Sequence, residues 1–260
     1  MSKIRKLNSK FLKSSEIDRE MDNVTSIKGR KRKPQNSNTG QLVLKEIQPL
    51  TDNQKLAFDS YYSGRELILS GFPGTGKTFL AMYLALNDLF YSENDYERII
   101  ICRSLVKSRE IGHLPGSVDE KAQPFEAPYI SICNELFSRG DAYSILSKKD
   151  IIQFENTSFL RGLSFNNALI IIDEAQNFNF HEIDTVCGRI GKNCRIIFSG
   201  DIHQSDLINT RECSGFAKFL KIANIMDRFN VVEFEVTDIV RSQFVYDYIV
   251  AKHRVEQGYD

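Results

Sequence analysis

Eight consecutive residues, Gly71-Phe72-Pro73-Gly74-Thr75-Gly76-Lys77-Thr78, constrain this chain more than any other stretch. They fit the phosphate-cradling pattern G-x-x-x-x-G-K-[ST]. Average composition yields such a match by chance in roughly two of every hundred chains of this length, so the flanks decide its meaning. Ahead of it, residues 66–70 read as a short buried strand; behind it, residues 79–86 place strong helix formers and apolar side chains at helical spacing. Strand, loop and helix stand in the required order. The glycines let backbone N–H groups converge on an anion at a helix N-terminus, where the dipole favours negative charge. Phe72, Pro73 and Thr75 complete that loop, Lys77 brings a mobile charge to the outer phosphates of ATP, and Thr78 offers a hydroxyl to Mg²⁺. The plainer alternative is a glycine-rich turn before an ordinary helix.

A second stretch argues against that alternative. Ala168-Leu169-Ile170-Ile171-Ile172-Asp173-Glu174-Ala175-Gln176 is a buried run that ends abruptly in two acids. Open α/β sheets bind ligands at the carboxyl edge of their strands. Asp173 is placed there to hold Mg²⁺ through its water shell, and Glu174 to orient and deprotonate an attacking water. A third buried strand runs from Cys194 to Gly200, and Gln204 beyond it is a candidate contact for the γ-phosphate. Gln54, at the start of a helix capped by Thr51 or Asp52, is a candidate for reading the adenine edge. Further strands are expected at residues 98–102, 151–155 and 231–235, and helices at 129–147 and 243–253. Residues 105–128 read as a long loop of basic character, with Lys107, Arg109, His113 and Lys121. The alternation of strands and helices predicts a doubly wound, mostly parallel sheet with helices on both faces.

Charge divides the chain. Residues 1–40 hold eleven Lys/Arg against four Asp/Glu, leaving 23 against 30 for the other 220 residues. Residues 1–44 are therefore expected to be a basic, flexible N-terminal extension, and residues 45–260 one P-loop ATPase domain. The acidic body excludes nucleic-acid binding by the overall field and leaves such contacts to the arm or to local patches. No apolar run reaches the length of a membrane span, and the N-terminus has no apolar signal core. Five cysteines without a C-x-x-C pair fit reduced thiols in a cytoplasm.

Together these stretches resemble the PhoH-like, phosphate-starvation-inducible ATPases, relatives of the superfamily 1 helicases. The resemblance rests on residues 71–78, on Glu110-Ile111-Gly112-His113-Leu114-Pro115-Gly116 with Glu120-Lys121, on Arg161-Gly162 leading into Asp173-Glu174-Ala175-Gln176-Asn177, on Gly200-Asp201 with Gln204, and on Asp238-Ile239-Val240-Arg241. It implies a RecA-like P-loop core, Mg·ATP hydrolysis, and movement on or remodelling of RNA or single-stranded DNA. It also implies that Arg241 acts as an arginine finger. Ser242 stands where a histidine often follows that arginine, and Ile111 where a basic residue is usual. A finger motif in a chain with a single core implies a homo-oligomeric ring, a hexamer by expectation, with Arg241 acting across the subunit interface. The competing class is a nucleotide-gated interaction module that binds ATP without strand movement. A nucleotide kinase is disfavoured, because the acid pair suits activation of water and no second-substrate motif is evident.

Overall fold

The structure is a computed structural model, and it describes residues 42–104, 118–156, 164–201 and 215–256. Parallel strands need both faces covered, and the apolar runs of this chain meet that need. The elements follow in the order α1 (Asp52–Tyr62), β1 (Glu66–Gly71), α2 (Lys77–Tyr91), β2 (Arg98–Arg103), α3 (Val118–Leu136), α4 (Ala142–Lys148), β3 (Ile152–Asn156), β4 (Ala168–Asp173), α5 (Phe180–Cys187), β5 (Cys194–Gly200), α6 (Gly215–Met226), β6 (Phe229–Phe234) and α7 (Gln243–Glu256). The six strands form one sheet in the order β3-β2-β4-β5-β1-β6, and every pairing is parallel. This is the doubly wound α/β P-loop architecture that the sequence predicts.

Alternation along each strand sorts the core into two layers. Leu67, Leu69, Ile99, Ile101, Leu169, Ile171 and Ile197 pack with residues of α1 to α4. Ile68, Ile100, Ile170, Ile172, Ile196 and Phe198 face the other way, against Ile183, Val186, Phe216 and Phe219 of α5 and α6. Fully burying one such side chain contributes roughly 1.5–3 kcal/mol. All carboxyl ends lie on one edge, and the P-loop follows β1 there while the acid pair ends β4. β5 runs between those two strands.

One expectation changes and another is refined. The long loop of residues 105–128 gives way to helix from Val118 onward, although Pro124 and Pro128 lie inside that helix. Each proline removes a backbone donor. Burial of Tyr129, Cys133 and Leu136, at spacings of four and three, nevertheless holds α3 against the sheet. The helical material expected over 129–147 divides into α3 and α4, with Ser138 between them in the left-handed region at φ 52°. Residues 1–41, which carry the basic arm, lie outside the described residues, as does Glu110–Gly116 of the loop. Among the described residues no helix is long and apolar enough to cross a membrane.

Candidate functional site

The P-loop is built by clamping its start and bracing its crest. Gly71 ends β1 at φ 121°, and a Cβ there would come within 2.1 Å of the Phe234 carbonyl oxygen. That close approach lets Phe72 N–H donate to Phe234 O at 3.1 Å and pins the loop to β6. At the crest, Val240 N–H donates to Gly74 O at 3.1 Å. Gln54 Nε2 donates to the next carbonyl, Thr75 O, at 3.1 Å. Thr75 Oγ1 closes the turn by donating to Phe72 O at 2.9 Å. These bonds fix the loop backbone from its start to its crest. Helix α2 starts at Lys77 with no side-chain hydrogen bond at its cap, Gly76. Uncapped N–H groups at a helix N-terminus fit a phosphate.

Gln54 is 4% exposed. Its Oε1 accepts from Leu50 N–H at 2.8 Å while its Nε2 holds Thr75 O. Both ends of the amide are thus engaged by backbone, and the side chain braces the loop. The neighbouring Asn53 donates to Asp238 Oδ2 at 2.7 Å, and the same oxygen accepts from Glu235 N–H at 2.8 Å. Asp238 therefore anchors the Asp-Ile-Val-Arg box to α1, which places Val240 and Arg241 over the P-loop. A Cβ on Gly74 would lie 3.1 Å from Arg241 Cγ and 3.7 Å from Nε. Arg241 stands against the P-loop of its own chain.

The acid pair closes the other side. Asp173 is 2% exposed. Its Oδ1 accepts from Thr78 Oγ1 at 2.8 Å, and its Oδ2 accepts from the Tyr129 hydroxyl at 2.8 Å. A hydroxyl and a carboxylate in contact beside a phosphate cradle are hard oxygen donors of the kind Mg²⁺ takes, so these residues fit Mg·ATP. Lys77 Nζ donates to Gly71 O at 2.9 Å and Phe72 O at 2.6 Å. Burial pulls its pKa below the ordinary lysine value, and the charges of Asp201, Glu174 and Asp173 oppose that shift. These three carboxylates are the charges that Lys77 feels, so the two strand tips share one site.

Glu174 sits in the left-handed region at φ 52°, which costs a side-chain-bearing residue about 1–2 kcal/mol. It is held there by Gln176, whose Nε2 donates to Glu174 Oε2 at 2.6 Å and whose Oε1 accepts from Asp201 N–H at 3.0 Å. Gln176 thereby ties the acid pair to the end of β5. Burial raises the Glu174 pKa, the Asp173 charge raises it further, and Arg103, Gln176 and Lys77 pull it back. A carboxylate held in that balance suits a proton acceptor.

A sequence profile of the family described as PhoH-like protein matches residues 46–252. The chain belongs to that family. The PhoH-like protein of Mycobacterium leprae is 31% identical over 216 residues, covering 82% of this chain and 60% of that one. The PhoH-like protein of Synechocystis is 33% identical over 184 residues, covering 70% and 55%. This PhoH-like chain thus spans between about half and two thirds of the length of these relatives. Among solved structures, the large terminase of a thermophilic bacteriophage aligns with a TM-score of 0.47 at 9% identity, over 80% of this chain and 50% of that one.

In this PhoH-like chain, Gln54, residues 71–78, Asp173, Glu174 and Arg241 come together around the P-loop. Gln204 and Arg161-Gly162 lie outside the described residues. Sequence reasoning missed Tyr129, Arg103, Gln176 and Asp201. Only Gln176 and Asp201 carried any signal there, through their place in the family boxes.

Proposed function

We propose that this chain binds Mg·ATP at the shared edge of β1 and β4, hydrolyses it, and couples turnover to movement on, or remodelling of, RNA or single-stranded DNA. The contact between Thr78 and Asp173, with Glu174 adjoining, is the observation that carries the hydrolase reading. P-loop N–H groups hold the phosphates, and Lys77 exchanges its two carbonyl partners for phosphate oxygens. Glu174 holds a water and takes its proton. Bound Mg²⁺, held by Thr78 and Asp173, supplies charge neutralisation at the phosphates. Arg241 sits beside Gly74 of the same chain, which supports a role in cis in stabilising charge that develops on the γ-phosphoryl group.

The nucleic-acid half rests on family membership, on the net +7 of residues 1–40 and on the basic side chains at Lys107, Arg109, His113 and Lys121. A ring, with six subunits as the expected size, rests on the family resemblance. The test is ATP hydrolysis by the purified full chain with and without single-stranded RNA or DNA, with particle mass recorded in the same samples. Turnover stimulated by nucleic acid is expected. Hydrolysis indifferent to nucleic acid moves the protein to the nucleotide-gated switch class, and Mg·ATP binding without any turnover overturns the hydrolase reading.

A further inference from the structure

We infer that Tyr129 is a positioning residue for the metal end of this site, its hydroxyl fixing the angle at which the Asp173 carboxylate meets Thr78. The inference rests on the reading of Thr78 and Asp173 as the pair that holds Mg²⁺. Tyr129 projects from α3 with no exposed surface, its ring tilted against Phe154 at 5.8 Å between centroids. Its hydroxyl donates to Asp173 Oδ2 at 2.8 Å, which leaves Oδ1 to the Thr78 hydroxyl. An aspartate carboxylate rotates in a broad, roughly two-fold well, so nothing intrinsic to Asp173 chooses its angle. The phenol does.

Arg103 strengthens that choice. It ends β2 in register with Asp173 on β4, and its guanidinium carbon lies 5.8 Å from the centroid of the Phe125 ring on α3. Its charge also acts on the Tyr129 phenol, lowering a pKa that burial and Asp173 raise. A cation near a phenol makes its hydroxyl a better donor, which strengthens the bond from Tyr129 to Asp173. Groups that orient a metal ligand in this way typically change metal affinity by about 10–100-fold when removed. A second buried phenol gives an internal control: Tyr61 donates to Asp88 Oδ2 at 2.8 Å, at the opposite edge of the sheet, beside Arg195 near the start of β5. It makes the same kind of bond with no part in the site.

Tyr129→Phe keeps the ring and removes the hydroxyl alone. The full chain, this variant and Tyr61→Phe are titrated calorimetrically with ADP, first without metal and then with Mg²⁺ added to the ADP-bound protein. Tyr129→Phe is expected to bind metal-free ADP like the parent, and to need about 10–100-fold more Mg²⁺ for half-saturation. Tyr61→Phe is expected to keep the parental Mg²⁺ midpoint. A parental midpoint in Tyr129→Phe overturns the inference, and so does an equal loss in Tyr61→Phe. A parent chain that binds neither ADP nor Mg·ADP overturns the underlying reading of the site instead.

Discussion

Thr78 Oγ1 donates to Asp173 Oδ1 at 2.8 Å, joining the first turn of α2 to the tip of β4 across 95 residues of sequence. That bond brings the phosphate loop and the acid pair into one site.

Lys77→Ala removes the charge that faces Asp201, Glu174 and Asp173. Nucleotide affinity and turnover are expected to fall together, with the catalytic rate down by roughly 10²-fold or more, the scale of losing one preorganised electrostatic group. Equilibrium binding and steady-state hydrolysis measure the two effects separately.

Glu174→Gln keeps the shape and the capacity to bond Gln176 but removes the proton acceptor. Mg·ATP binding is expected to persist while hydrolysis slows by about 10²–10⁴-fold, the usual contribution of a general base. Single-turnover measurements check that chemistry, not release, has slowed.

Arg241→Ala is expected to bind nucleotide normally and to lose about 10³-fold or more in rate. Because Arg241 lies against Gly74 of its own chain, mixing Arg241→Ala with Lys77→Ala protein restores no activity. Recovery of activity in the mixture would show that the arginine serves a neighbouring subunit, as the one-core argument from sequence expects.

Gln54→Ala leaves Thr75 O and Leu50 N–H without their partners. A buried group stripped of its hydrogen bond costs about 1–3 kcal/mol, so a lower Tm is expected. Affinity for ATP and GTP should weaken alike, because the loop itself loosens. A loss confined to ATP, read by competition titration, would return Gln54 to direct reading of the base.

Gln176→Ala frees Glu174 and removes the side-chain acceptor of the buried Asp201 N–H. Destabilisation of about 1–3 kcal/mol is expected from that lost acceptor. The rate should fall with little change in Mg·ATP affinity, because Gln176 holds Glu174, the acid assigned to the attacking water. Denaturant unfolding and kinetics on the same preparation separate the two.

Legibility followed burial. β1, β2, β4 and β5 are readable because strands covered on both faces form near-continuous apolar runs, as Ile170-Ile171-Ile172 does between turn signals. The P-loop and acid pair were readable because their chemistry is local in sequence. α3 is legible only from Tyr129 onward: Pro124 and Pro128 read as loop, and the packing of Tyr129, Cys133 and Leu136 that overrides them is tertiary. Tyr129 was missed for the same reason, since nothing near it in sequence names a partner 44 residues away. The bond of Gln54 to Thr75 O, which adds bracing of the loop to the role its place in sequence suggests, requires coordinates. Arg241 is identified by its box, and its place beside Gly74 of the same chain requires coordinates.

The most direct measurement for the shared site is equilibrium binding of ATP, with and without Mg²⁺, to the parent chain, Lys77→Ala and Asp173→Asn. The parent is expected to bind ATP more tightly with Mg²⁺, Asp173→Asn to lose that Mg²⁺-dependent gain, and Lys77→Ala to lose binding in both conditions. ATP binding that is unchanged in Lys77→Ala, or a full Mg²⁺ gain in Asp173→Asn, would contradict the account.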